Sequence, residues 1–214
     1  MKHQIYMIDF VVLNDGFTIK DRNKYEKKVI KITKKYGMKI QQSYKLNKHM
    51  KGDLIGAIKL NIWILPNANV LKELSKDEDY LEMVAYRNEI HNMNAVTIYM
   101  AESETNLGQL KGENIFVDLV VMNDGYGNVE RDVYEDKILP VAENYGMHLK
   151  NVFNIREYKM GMGPKNAIRL NIWEIEDPKK MKELGEDKHY IEHVPFRNKI
   201  HNMSALTLYL AEPI

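Results

Sequence analysis

Two sets of residues in this chain have types and spacings that could do chemistry, and each set occurs twice. Asp9 interrupts the apolar run Ile8-Asp9-Phe10-Val11-Val12, and Asp118 interrupts Val117-Asp118-Leu119-Val120-Val121. A carboxylate in such a run must find a partner or shift its protonation, and either property suits ligand orientation or proton transfer. Lys59, Asn61 and Trp63 alternate along a second apolar run, as do Arg169, Asn171 and Trp173. In a strand, residues two apart share a face, so each run offers a cation, an amide and an indole together. Thr97 and Tyr99, repeated as Thr207 and Tyr209, add hydroxyls from a third run. The plainer alternative is structural: Asp9–Lys59 and Asp118–Arg169 ion pairs fixing register, with both indoles packed in a core. The second set is Arg87 with His91, and Arg197 with His201. At i and i+4 they share a helix face with Tyr80 and Val84, joining an anion-binding fork to a group that moves protons near neutral pH. Here the plainer alternative is a histidine finishing its helix and an arginine paired with a nearby acid. No histidine pair has a carboxylate at ligand spacing, so no metal is expected.

The recurrence of these sets follows from a repeat. Asp9-Phe-Val-Val-Leu-Asn-Asp-Gly16 matches Asp118-Leu-Val-Val-Met-Asn-Asp-Gly125, and Leu60-Asn-Ile-Trp63 matches Leu170-Asn-Ile-Trp173. Tyr36-Gly37-Met38 returns as Tyr145-Gly146-Met147, and Ile90-His-Asn-Met93 as Ile200-His-Asn-Met203. Matches of this density mark a tandem duplication. The expected organisation is a first unit over 1–103, a polar linker over 104–113 carrying Gly108 and Gly112, and a second unit over 114–214.

Each unit reads strand, helix, strand, strand, broken helix, strand. Ile5 to Leu13 is short and β-prone and stops at Asn14-Asp15-Gly16. Tyr25, Val29, Ile32 and Tyr36 recur at helical spacing over 21–36, before Gly37. Strands are predicted over 38–46, 57–65 and 95–101, with helical pieces over 70–74 and 80–92. Two βαββαβ units of this kind predict a ferredoxin-like α+β fold. The all-apolar sets Ile8-Phe10-Val12 and Ile58-Leu60-Ile62 are expected under the helices. That leaves Asp9, Lys59, Asn61, Trp63, Thr97 and Tyr99 on the opposite face. An indole and aliphatics bare to water call for a partner, and the simplest is the other unit's sheet, closing a half-polar barrel within the chain. The run Lys159-Met-Gly-Met-Gly-Pro164 is expected as a flexible loop over its mouth.

Composition removes several classes. Lys and Arg total 31 against 30 Asp and Glu, a net charge of +1, which speaks against a nucleic-acid or membrane-surface binder. The absence of cysteine removes disulfides, thiolate nucleophiles and Cys-ligated metals. With no apolar run of spanning length and no signal-peptide opening in Met1-Lys2-His3-Gln4, a cytoplasmic protein is expected.

The opening Tyr6-Met-Ile-Asp-Phe-Val-Val strand, Tyr36-Gly37, the Leu60-Asn-Ile-Trp63 strand and the broken second helix (Tyr80 then Arg87; Tyr190, Pro195, Arg197) resemble the dimeric α/β-barrel superfamily. The likeness is greatest to its short bacterial members of unassigned function. It implies two ferredoxin-like units joined into one barrel, here fused into a pseudo-dimer, and is compatible with further self-association. It also permits the chemistry of members that work without a bound cofactor: isomerases, lyases and oxygenases of quinone-like substrates. Haem-degrading members carry a Trp and a His on the second helix. Those places hold Leu74 (Leu184) and Val84 (Val194) here, so no cofactor is expected. The resulting expectation is a protein that binds or transforms a small, partly apolar, aromatic or carboxylic molecule, with a non-catalytic metabolite binder or an interaction protein as the alternative.

Overall fold

The computed structural model describes residues 4–103, 107, 108 and 110–214. Met1 to His3, and residues 104–106 and 109 of the expected linker, lie outside them. The first half contains β1 (Gln4–Val11), α1 (Ile19–Lys35), β2 (Lys39–Lys51), β3 (Lys59–Leu65), α2 (Val70–Leu74), α3 (Glu78–Ile90) and β4 (Thr97–Ser103). The second contains β5 (Ile115–Val121), α4 (Asn128–Glu143), β6 (Met147–Met160), β7 (Ala167–Ile175), α5 (Lys180–Glu186), α6 (Lys188–Ile200) and β8 (Thr207–Pro213). The order matches the sequence reading, with β2 and β6 running further than expected because they carry the pairing between halves. At the entry to α1 the Asp21 carboxylate accepts from the Thr18 N–H and hydroxyl, at 3.0 and 2.7 Å, satisfying donors that a helix start leaves open.

The eight strands close a barrel in the order β1-β3-β2-β8-β5-β7-β6-β4, every neighbouring pair antiparallel. Each half supplies four adjacent strands, and the halves meet edge to edge at β2–β8 and β4–β6. Closure leaves no free sheet edge. Each seam is fastened by a tyrosine and a loop from opposite halves. The Tyr209 hydroxyl donates to the Leu54 carbonyl, and the Tyr99 hydroxyl to the Pro164 carbonyl at 3.0 Å. The glycine-rich loop after β6 is pinned rather than free. Gly163 N–H donates to Thr97 Oγ1 at 2.9 Å, and Gly161, at φ +113°, lies so near β4 that a Cβ would fall 2.3 Å from the Val96 carbonyl oxygen.

The faces of β1, β3, β5 and β7 are the reverse of the sequence expectation. Ile8, Phe10, Leu60 and Ile62 point into the barrel, with Val117, Leu119, Leu170 and Ile172 opposite them. Met7 and Trp63 lie under α1 and α2 instead, as Val120 and Trp173 lie under α4 and α5, whereas on β4 Met100 is helix-side and Tyr99 barrel-side as expected. The reason is dryness. An eight-stranded barrel is just wide enough for side chains to fill, and an unpaired polar group there meets no water. The helix–sheet layer opens to solvent at its edges and tolerates charge. So the most apolar set takes the barrel, and the half-polar space lies beneath the helices. No helix among the described residues is long and apolar enough to cross a membrane.

Candidate functional site

The polar face of β1 and β3 meets a polar stripe on α1. Arg22, Tyr25, Glu26 and Val29, at three- and four-residue spacing, turn toward the sheet, and Arg22 is only 3% exposed. Between α1, the helices after β3 and the sheet lies a cavity of about 620 Å³. Its apolar walls include Met7, Trp63, Leu74 and Ile98; its polar groups include Asp9, Arg22, Glu26 and His91. Lys159 and Met160 reach it across the β4–β6 seam, so both halves build it.

Asp9 sits opposite Asn61 in the β1–β3 ladder. Its Oδ2 accepts from the Trp63 indole N–H at 3.2 Å, and its Oδ1 is shut from solvent with no partner. Burial pushes the Asp9 carboxyl above the usual carboxylate range, with the nearby Arg22 charge opposing the shift. The expected Asp9–Lys59 pair does not form. Lys59 stands two residues from Asn61, opposite Val11, and reaches over to α1, where its Nζ donates to Glu26 Oε2 at 2.5 Å. Arg22 Nη2 stands 3.3 Å from Glu26 Oε1, and Arg22 Nε and Nη1 have no acceptor. A buried guanidinium with two nitrogens lacking acceptors carries a desolvation cost.

His91 ends α3, and its Nδ1 lies 2.8 Å from the Arg87 carbonyl. A carbonyl only accepts, so Nδ1 carries the proton and Nε2 presents a lone pair. Burial, with the Arg22 and Arg87 charges, lowers its pKa to about 4 and keeps the ring neutral. Arg87 itself donates to the Tyr80 hydroxyl at 3.0 Å and to Asn88, not to an acid.

The second half holds the same residues differently. Arg131 donates from Nε to Glu135 at 2.7 Å, from Nη1 to His201 Nε2 at 2.9 Å and from Nη2 to Asp118 at 3.0 Å. The expected Asp118–Arg169 pair is absent, because Arg169 holds Glu135 at 2.9 Å and Asp132 at 2.7 Å. Asn171 donates to Asp118 and Glu135, while Trp173 Nε1 has no acceptor. Arg197 repeats the Arg87 contact, donating to Tyr190. The cavity shrinks to about 190 Å³.

Of the residues singled out from sequence, Asp9, Asn61, Trp63, Lys59, Arg87 and His91 gather beneath the first half's helices, and Asp118, Asn171, Trp173, Arg169, Arg197 and His201 beneath the second's. Tyr99 and Tyr209 face the barrel core and join neither group. Arg22, Glu26, Arg131 and Glu135 escaped the sequence reading. Their signal was available: two charges at i and i+4 flanking the apolar stripe of α1, recurring unchanged in the repeat. Among the described residues no cluster of three or more His, Asp or Glu is arranged to hold a metal ion.

No family model matches this chain, and no curated protein matches its sequence. Solved structures do match the fold. An anthrone oxidase-like protein superposes with a TM-score of 0.59 at 12% identity, covering 100% of this chain and 92% of its own. A mutant chlorite dismutase from Candidatus Nitrospira defluvii gives 0.59 at 8%, covering 100% and 93%. A candidate monooxygenase from Lactobacillus acidophilus NCFM gives 0.51 at 10%, covering 99% and 94%. With its closed antiparallel barrel and flanking helices, the chain has the fold of the dimeric α/β-barrel superfamily.

Proposed function

We propose that this chain, a tandem of two ferredoxin-like units, binds a small, planar, partly apolar molecule beneath the helices of its first half and transforms it by acid–base chemistry without a bound cofactor. One observation carries the reading: a cavity of about 620 Å³, mostly apolar, lined in part by Arg22, whose guanidinium has two buried nitrogens without acceptors. A core built only for stability satisfies such groups. Fold relatives named for oxidase and monooxygenase activity support small-molecule chemistry on this scaffold.

The side chains suit proton transfer. His91 Nε2 can take a proton from an acidic O–H or C–H, and the Arg87 carbonyl on Nδ1 would stabilise the imidazolium formed. At rest burial first, and then the Arg22 charge, suppresses that basicity. An anion developing on the ligand would offset this charge, so the base strengthens as the substrate ionises. Trp63 offers a flat wall.

The test is a thermal-shift and tryptophan-fluorescence screen of phenols, quinols, anthrones and aromatic acids, followed by absorbance assays on whatever binds. We expect at least one compound to raise the melting temperature and quench Trp63 in a Trp173→Phe background, and His91→Gln to abolish turnover while keeping binding. No stabilising compound would overturn the reading. Binding without turnover would leave a metabolite-binding module. A Soret shift on titration with hemin would overturn the cofactor-free part.

A further inference from the structure

The second half shows what the Arg22 guanidinium lacks. Arg131 is held on three sides by groups of its own half, one of them the Asp118 carboxylate on Nη2. Every counterpart exists around Arg22: Glu26 for Glu135, His91 for His201, Asp9 for Asp118. Yet Asp9 is turned onto the Trp63 indole, and Arg22 makes no hydrogen bond to either Asp9 or His91. The exchange is reciprocal, since in the second half the carboxylate is on the arginine and the Trp173 indole is left without an acceptor.

Two substitutions between the copies account for this. Arg169, paired also with Asp132, holds Glu135 Oε2, while Oε1 accepts from Arg131 and Asn171. The first half has Lys59 and Asn23 in those places. Lys59 holds the equivalent oxygen, Glu26 Oε2, but Asn23 offers no second acid in place of Asp132, and Asn61 does not donate to Glu26 as Asn171 does to Glu135. Bulk follows the same division. Phe116, Ile138 and Leu206 fill the second cleft where Met7, Val29 and Val96 leave the first open.

Building on the proposed ligand site, we infer that the first-half cleft takes one aromatic carboxylate per chain, its anionic group on Arg22 and its ring against Trp63, and that the second cleft is a closed copy occupied by its own Asp118. The incoming carboxylate does for Arg22 what Asp118 does for Arg131. Glu26 is engaged by Lys59 at 2.5 Å and Arg87 is held by Tyr80 and Asn88, so the cation of the cleft with two nitrogens left without acceptors is Arg22.

The experiment is calorimetric titration of the full chain with 2-naphthoate and with its neutral isostere 2-naphthamide, together with indole N–H NMR. We expect a stoichiometry of one. Only the Trp63 resonance should move, assigned by its persistence in Trp173→Phe. Charge-assisted hydrogen bonds set the naphthamide at least about tenfold weaker, with a similar loss of naphthoate affinity in Arg22→Gln. Asp118→Asn should leave naphthoate affinity within about threefold. Circular dichroism checks each variant; should Arg22→Gln not fold, Arg22→Lys replaces it, with the same direction expected. Two ligands per chain, movement of the Trp173 resonance, or equal binding of acid and amide would overturn the inference; the last would leave the small-molecule reading standing. Saturation by neither probe at millimolar concentration also overturns it, while the compound screen decides the broader reading on its own.

Discussion

The two halves of this molecule carry the same arginine, aspartate, glutamate, histidine and tryptophan over the same strands, yet one set is locked and the other is not. In the second half Arg131 is hydrogen-bonded through all three guanidinium nitrogens, and packing leaves about 190 Å³; in the first, Arg22 keeps only its contact with Glu26 beside about 620 Å³. Residue identity at a site therefore does not define its chemistry. What decides is whether the neighbours, here Arg169 with Asp132 against Lys59 with Asn23, spend the charged groups on each other or leave them for a ligand.

The widest gap between the halves should appear when the arginines are removed. Arg131→Leu leaves the buried Asp118 and Glu135 without their shared cation and should cost about 3–5 kcal/mol. Arg22→Leu removes a less engaged cation and should cost about 1 kcal/mol, Asp9 relaxing by protonation. Urea denaturation measures both, and equal losses would break the comparison. A smaller effect is expected from importing the second half's bracing into the first. Asn23→Asp with Lys59→Arg should turn Glu26 onto Arg22, adding about 1 kcal/mol of stability and weakening 2-naphthoate binding. Unchanged binding with raised stability would show that this pair does not control access.

The smallest difference between halves should lie in their response to acid. His91 and His201 are both held at about 4, well below the ordinary histidine value of 6.5. The unfolded chain thus takes up more protons than the folded one across pH 6.5 to 4, and the stability these rings contribute falls as pH drops through that window. Asp9 and Asp118, both raised by burial, act in the opposite sense, losing their share as pH climbs through their folded values. Melting temperatures between pH 7 and 4 should fall in the parent. His91→Gln and His201→Gln should each flatten the slope to a similar degree; flattening by only one would make the histidines unequal partners.

Much of the fold was legible because repetition and periodicity are local. The spacing of Tyr25, Val29 and Ile32 gives α1, alternation in Leu60-Asn-Ile-Trp63 gives β3, and the order β3-β1-β4 follows from the topology those elements imply. The facing of the sheet was not legible, since in β1 both faces are covered and alternation says only that they differ. The preference of the drier compartment for Ile8 and Phe10 emerges once the barrel closes. The site was legible strand by strand, through Asp9, Asn61 and Trp63, but not across the gap to α1. Arg22 and Glu26 read as the solvated flank of an amphipathic helix until a polar sheet face is placed opposite them.

The two seams carry a consequence for how the chain is made. Lys45 on β2 meets Glu212 on β8, 167 residues later, through a 2.7 Å bond. Contacts spanning that much sequence form late, because the intervening chain must first be ordered. During synthesis the edge of β2 would therefore stay unpaired until β8 has been made and released. Loss of β8, Thr207–Pro213, would leave that edge open to pairing with other molecules.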